Sequence, residues 1–353
     1  MDINKKILKT IKYFSFFAYQ PTLAEIHTFL QAKISKNELN IVLERMVKQK
    51  QIANWKLLMD DRDIYTPVEY SISSQNSKVK SQKLKSKVKS NNEAMKQCNN
   101  LNNRKQISKS KLNSPKFKLY IKLLSFFPQI KLVGLSGSIS MMNAKEDDDI
   151  DLFVITAKNR LFTGRFIALM LAQLMGLRRN RESSAVEKAR YRKFFNGKQK
   201  TVKNLVSSLS SNNETMKQWN NHVRNRVCLN LFFDENNLKV PKFKQTEFVG
   251  HEVLQMRPII VKGNTYEGFL KANEWVFRLF PNAKEDFHGL KADLHGYQRK
   301  SAINLRQSLG DWLENFLKNL QLILINRHRT TEIITSTQLW FHPDDFEKKI
   351  FTD

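Results

Sequence analysis

Apolar residues at Ile7, Leu8, Ile11 and Phe14 recur at the spacing of one helical face, and the pattern breaks at Pro21. Two further helices follow, each opened by a capping box. Thr22 with Glu25 precedes Ile26, Phe29 and Leu30, and Ser35 with Glu38 precedes Leu39, Val42, Leu43 and Met46. IANWKLL and DIYTP, flanking the polar turn Asp60–Arg62, read as a β-hairpin. From residue 72 to 115 large apolar residues almost vanish, and Lys, Ser, Asn and Gln dominate. Such a stretch cannot bury enough surface to offset chain entropy, so disorder is expected there. A second polar, basic stretch covers about 180–224.

Between these stretches the pattern returns. Phe117, Tyr120, Ile121 and Leu124 predict a helix over Pro115–Phe127. Ile130–Leu135, Asp149–Thr156 and Val227–Phe233 read as strands. Ser138–Asn143 reads as a short turn or helix, and Arg160–Gly176 as a long helix capped by Asn159. Beyond Pro241 the pattern is helical over Thr246–Met256, Thr265–Phe280 and about Ser301–Asn326. The expected fold is α+β, a small mixed sheet with flanking helices. The expected units are a helical one at 1–70, a basic linker at 71–115, an α/β domain at 116–240 with its insertion at about 180–224, and a helical domain at 241–353.

Charge changes the picture in one respect. The 353 residues carry a net +27, of which residues 78–118 hold +12 and residues 158–226 hold +13. The excess therefore belongs to two segments. SNNEAMKQCNN (Ser90–Asn100) and SNNETMKQWNN (Ser211–Asn221) match at nine of eleven positions. Two such copies are too few for a solenoid, and the reading preferred is a repeated element translated into two tolerant surface loops. An RNA partner held by these segments is the competing reading. The two cysteines, Cys98 and Cys228, show no metal-ligand spacing. The first residues lack the apolar core of a signal peptide, and the apolar run Leu161–Leu177 is short for a membrane span. A soluble cytoplasmic protein without membrane contact is expected.

The candidate chemistry lies in GLSGSISMMNAKEDDDIDLFVIT, Gly134–Thr156. Side chains alternate faces along a strand, so Asp149, Asp151 and Phe153 share one face and Ile150, Leu152 and Val154 the other. The two aspartates then stand about 7 Å apart at their Cα atoms. Like charges held so close raise each other's pKa unless a cation intervenes, and Mg²⁺ commonly takes one or two carboxylates plus substrate phosphates. Upstream, Gly137-Ser138 follows a strand and opens a helical turn, where backbone amides and a hydroxyl can bind phosphate. A phosphate grip beside a metal site suits a nucleoside triphosphate.

Gly137-Ser138, a spacer, and Asp149-Ile150-Asp151-Leu152 together resemble the signature of the DNA polymerase β-like nucleotidyltransferase superfamily, over about Lys116–Asp234. The resemblance implies a sheet of nucleotidyltransferase type and two Mg²⁺ ions held by Asp149 and Asp151. It implies β/γ-phosphates held by Gly137 and Ser138, and transfer of a nucleoside monophosphate to an acceptor hydroxyl by two-metal chemistry. Many members use a third carboxylate on a later strand. In RVCLNLFFDE, read with Cys228, Asn230, Phe232 and Asp234 on one face, Asn230 occupies the mid-strand position and Asp234 is the carboxylate available. An amide there favours a second reading, a nucleotide-sensing regulator without transfer chemistry. The three helices and hairpin of the N-terminal unit resemble a winged helix-turn-helix. Its third helix would offer Lys36, Asn37, Asn40, Arg45 and Lys48 to DNA, a face of modest basicity, so a protein-docking module is the preferred reading. Of HEVLQMRP, His251 and Gln255 lie one turn apart, where they could face a site, and Glu252 falls on a neighbouring face; ordinary polar contacts are the preferred reading. Arg160 and Arg165 could reach a triphosphate, face solvent or pair with carboxylates, and Trp275 is read as core.

Overall fold

The computed structural model describes residues 2–56, 63–67, 101–178, 226–284, 307–327 and 332–341. Both copies of the repeated undecapeptide lie outside them, as do most of the two basic segments. The chain starts with α1 (Ile3–Phe16), α2 (Leu23–Phe29) and α3 (Lys36–Lys48), followed by an antiparallel pair, β1 (Ile52–Lys56) and β2 (Asp63–Pro67). Both capping boxes form, with Thr22 and Ser35 accepting from the amides of Glu25 and Glu38, whose carboxylates reach back to the cap amides. Ile7, Ile11, Ile26, Leu30, Leu39, Leu43 and Met46 close a small core of their own. The unit also joins the rest of the molecule. Tyr13, Phe14 and Phe29 enter the main core, Lys9 pairs with Glu247 at 2.5 Å, and Asn282 bonds the carbonyls of His27 and Ala32 and the amide of Ile34.

A helix over 101–113, α4, precedes α5 (Pro115–Phe126). The expectation of disorder through residue 115 therefore fails for 101–113. The face that α4 buries includes Ser108 and Lys111, so its burial left no apolar period to read. Then come β3 (Ile130–Leu135), the one-turn α6 (Gly137–Ser140), β4 (Ile150–Thr156), α7 (Leu161–Leu174) and β5 (Val227–Asp234). Next are α8 (Glu247–Gln255), β6 (Arg257–Val261), α9 (Thr265–Ala272), α10 (Trp275–Leu279), α11 (Gln307–Asn326), β7 (Ile333–Ile334) and β8 (Gln338–Trp340).

The six-stranded sheet runs β6-β3-β4-β5-β8-β7, with β4 and β5 parallel and every other neighbouring pair antiparallel. The fold is thus mixed α+β, but residues 241–353 do not form a purely helical domain. They supply three strands and complete both edges of the sheet. β6 contains Pro258, which an edge strand tolerates because no second neighbour needs its missing N–H. β8 is three residues long, too short to declare a period. The helix expected over Thr265–Phe280 is broken at Asn273. Its buried side chain accepts from the Val240 amide and donates to the carbonyls of Leu238 and Phe269.

Two cores cover the sheet faces. Ile150, Leu152 and Val154 of β4 pack on one face with α5 and α7, as the alternation of residue types requires. Phe153 and Ile155 pack on the other with α8, α9 and the N-terminal unit. The start of α7 is held by remote carboxylates. Glu314 of α11 accepts from the amides of Phe162 and Thr163, both at 2.8 Å, and Asp234 accepts from that of Arg160 at 3.3 Å. Negative groups at a helix N-terminus satisfy its free amides and oppose its dipole. Among the described residues no helix is long and apolar enough to cross a membrane.

Candidate functional site

β3 and β4 lie side by side, and the turn leaving β3 folds over the start of β4. The Ser136 amide donates to the Asp151 carbonyl at 3.0 Å. Gly137 has φ +62°, a conformation costly for any residue with a Cβ. A Cβ there would also stand 2.7 Å from Asp151 Oδ2. Glycine is therefore needed twice, for the turn and for the approach of the carboxylate. Ser138 Oγ donates to Asp148 Oδ2 at 3.0 Å, and the Lys145 amide donates to the same oxygen at 2.9 Å. Gly137, Ser138 and Asp151 are thus brought together as expected, with Asp149 half-buried beside them.

Asn230 joins them through a β-bulge. Asp151 is in register with Cys228 and Leu152 with Leu229, but Phe153 is in register with Leu231, so Asn230 is the extra residue. Its Nδ2 donates to Asp151 Oδ1 at 3.3 Å, and Cys228 Sγ donates to Asn230 Oδ1 at 2.9 Å. The bulge also shifts the alternation beyond it. Phe232 falls on the opposite sheet face, against the expectation that Cys228, Asn230, Phe232 and Asp234 share one face.

Asp234 is therefore not part of this site. It pairs in register with Thr156, five residues along β4 from Asp151, or about 16 Å at strand rise. Its oxygens accept from the amides of Arg160 and Asn236, and it is buried. Its role is to cap the turn into α7. Asp234→Ala is expected to cost about 1–2 kcal/mol of stability through the lost cap, measured by denaturant unfolding.

A carboxylate that the sequence places on the face beside His251 and Gln255 faces the turn instead. Glu252 Oε2 accepts from the Gly137 amide at 3.2 Å. The helix α8 turns His251 the other way, into the main core. There it is sandwiched between Tyr13 and Phe29, with ring centroids at 3.7 and 4.4 Å and planes within 17°. Burial, with Lys9 nearby, holds His251 well below the ordinary histidine value, so it is a neutral core residue. Lys111 is a residue that sequence reasoning missed. It is 3% exposed, and its Nζ donates to the carbonyls of Glu146, at 2.9 Å, and Asp148, tying the acidic loop to α4. Burial lowers its pKa, opposed by the charges of Asp148, Asp149, Asp147 and Glu146. Arg160 and Arg165 point elsewhere. Arg160 pairs with Asp311 at 2.6 Å; Arg165 bonds Gln321 at 2.6 Å and lies over the Phe341 ring.

The site is electrostatically crowded. Burial, then the charges of Asp149, Glu252 and Asp148, push Asp151 up to about 8. Burial pushes Glu252 up to about 6, with the Gly137 amide acting in the opposite sense. A carboxyl group whose folded-state value is raised releases its proton in the unfolded chain first. Between about pH 4 and 8 the folded state then holds the extra proton, and stability falls as pH rises. Thermal melts of the metal-free protein should show this decline. Asp151→Asn is expected to flatten it, and Mg²⁺ is expected to raise the melting temperature more at pH 8.5 than at pH 6.

Among the described residues no three His, Cys, Asp or Glu side chains stand in ready ligand geometry. Asp149 and Asp151 nonetheless offer the all-oxygen donor set of a hard cation, and the raised Asp151 carboxyl is a group that a cation would relieve. Two donors of the Gly137-Ser138 turn, the Gly137 amide and the Ser138 hydroxyl, are occupied by the protein's own carboxylates, Glu252 and Asp148. An incoming phosphate would have to replace them. Comparison with protein-family models, with curated proteins and with solved structures finds no match to this chain.

Proposed function

We propose that this protein is a Mg²⁺-dependent nucleotidyltransferase that moves a nucleoside monophosphate from a nucleoside triphosphate to an acceptor hydroxyl. The observation that carries the reading is the fit of Gly137 against Asp151, where a left-handed glycine turn presents an amide and a serine beside a carboxyl short of a counter-ion. Asp149 and Asp151 would hold the metal. When bound, Mg²⁺ supplies the charge neutralisation that lets phosphates and carboxylates share one site, and stabilises attacking and leaving oxygens. Gly137 and Ser138 would take the β/γ-phosphates by exchanging Glu252 and Asp148 for phosphate oxygens. Lys111 would keep the loop carrying Asp149 in place. The N-terminal unit would be a winged helix, with the exposed Lys36, Asn37, Arg45 and Lys48 of α3 available to nucleic acid.

Asn230 favours a second reading. An amide stands at Asp151 where a third carboxylate would complete the metal set. On this reading the site binds nucleotide and transfers nothing. Pyrophosphate release separates the two. The transferase should release it from NTP with Mg²⁺ and a cell-derived acceptor pool, and Asp151→Asn should abolish the release. Binding of NTP without pyrophosphate would leave the sensor.

A further inference from the structure

The long helix α11 is mounted with its polar side inward. Toward α7 it turns Gly310, Glu314, Leu317 and Gln321. A Cβ at Gly310 would meet the Arg160 guanidinium at 2.7 Å, and Glu314 and Gln321 hydrogen-bond the first turn of α7. These bonds fix the rotation of the helix about its axis. Outward it turns Leu309, Leu313, Phe316, Leu320 and Ile323, exposed by 74, 39, 53, 44 and 56%, with Trp312 beside them at 66%. The spacing of the five is 4, 3, 4, 3, an unbroken heptad seam. The rings of Trp312 and Phe316 are stacked, 9° from parallel, with centroids 5.8 Å apart.

A heptad seam on a helix specifies another helix as its partner, because only a facing helix repeats its holes at that period. Partner choice is normally set by charges at the positions flanking the seam. Here those positions carry Gly310, Trp312, Leu317, Asn319, Leu324 and Asn326, none of them charged. The three charged residues within 309–326 lie off the seam. Asp311 is paired with Arg160, Glu314 is turned to α7, and Lys318 is half-buried. In a chain of net charge +27 this strip is a place where two identical surfaces can meet without like-charge repulsion. The six side chains expose on the order of 700 Å², close to the ~800 Å² each partner gives up in a standard interface. A patch of that size exceeds what a monomer usually leaves open.

We propose that the protein forms a two-fold dimer in which α11 packs along its seam against α11 of a second copy. An isologous contact of this kind uses the same surface on both chains and closes on itself. The test is sedimentation velocity of the full chain over a wide dilution series. The wild type is expected to sediment with the mass of two chains and to dissociate on dilution. Phe316→Glu is expected to raise the dissociation constant at least tenfold and to leave the far-UV circular dichroism and thermal midpoint of the monomer unchanged. Trp312→Glu, at the most exposed aromatic of the seam, serves if the first variant misfolds. A wild type that is monomeric throughout overturns the proposal, whether the seam is then covered by another part of the same chain or binds lipid vesicles. So does a dimer that both substitutions leave intact.

Discussion

Replacing Asp149 and Asp151 together by alanine is expected to weaken Mg²⁺-dependent nucleotide binding on the order of a hundredfold, or ~2.7 kcal/mol. The physical reason is that the turn and the acidic loop repel a triphosphate unless a cation intervenes. The Gly137 amide and the Ser138 hydroxyl already serve carboxylates, so at these two donors the metal must make phosphate the better partner. Without the two aspartates there is no oxygen pair to hold the metal, and Asp148 and Glu252 remain as repelling charges. The same variant should fold at least as well as the wild type at pH 8, because the crowding that raises Asp151 is gone. Loss of binding with retained or increased stability is a combination that simple unfolding does not produce. Calorimetry and thermal melts on one preparation read both.

The largest effect on stability is expected at Phe14→Ala, about 3–5 kcal/mol for truncating a fully buried phenylalanine. Phe14 has no exposed surface and packs edge-on against Phe29 and His251, the junction of the N-terminal helices with the main core. If the three helices were a bead tethered by a linker, the substitution would melt them alone. The shared core predicts that the single unfolding transition of the whole molecule shifts, followed in urea by fluorescence and circular dichroism together. Two separated transitions in the variant, with the second at the wild-type midpoint, would mean that the units are independent.

How much of this was legible in the sequence depended on which physical signal each element left. The first three helices declared themselves by period and by capping boxes that form as written. The three central strands were legible because Val, Ile, Leu and Phe alternate or run between turn residues, and the faces of β4 follow from its alternation. The site was legible in part. Gly137, Ser138, Asp149 and Asp151 come together because the turn and the strand entrance are local neighbours across a β-ladder. Asp234, the carboxylate the third strand offers, falls at the far end of the ladder, opposite Thr156 and too distant from Asp151; the bulge at Asn230, which has no signature in a single sequence, also moves the later side chains to the other face. Glu252, read on the face beside the one that could meet a site, differs for another reason. Helical phase alone does not say which face of α8 meets the sheet. That was decided by the aromatic cage closing on His251, built from two helices and Phe280, far apart in sequence. Lys111 was hidden because its helix buries a serine and a lysine, where hydrophobic periodicity has nothing to detect. β6 and β8 were invisible because strands of five and three residues carry little pattern of their own.

The central claim, that carboxylates stand at the head of β4 to hold a metal with a triphosphate, is tested most directly by titrating the full-length protein with ATP and GTP at pH 8, with and without Mg²⁺. At least one nucleotide is expected to bind with Mg²⁺, to bind far more weakly without it, and to lose the Mg²⁺-dependent part in Asp151→Asn. Binding that is indifferent to Mg²⁺ and to that substitution, or no binding of either nucleotide, would contradict the account.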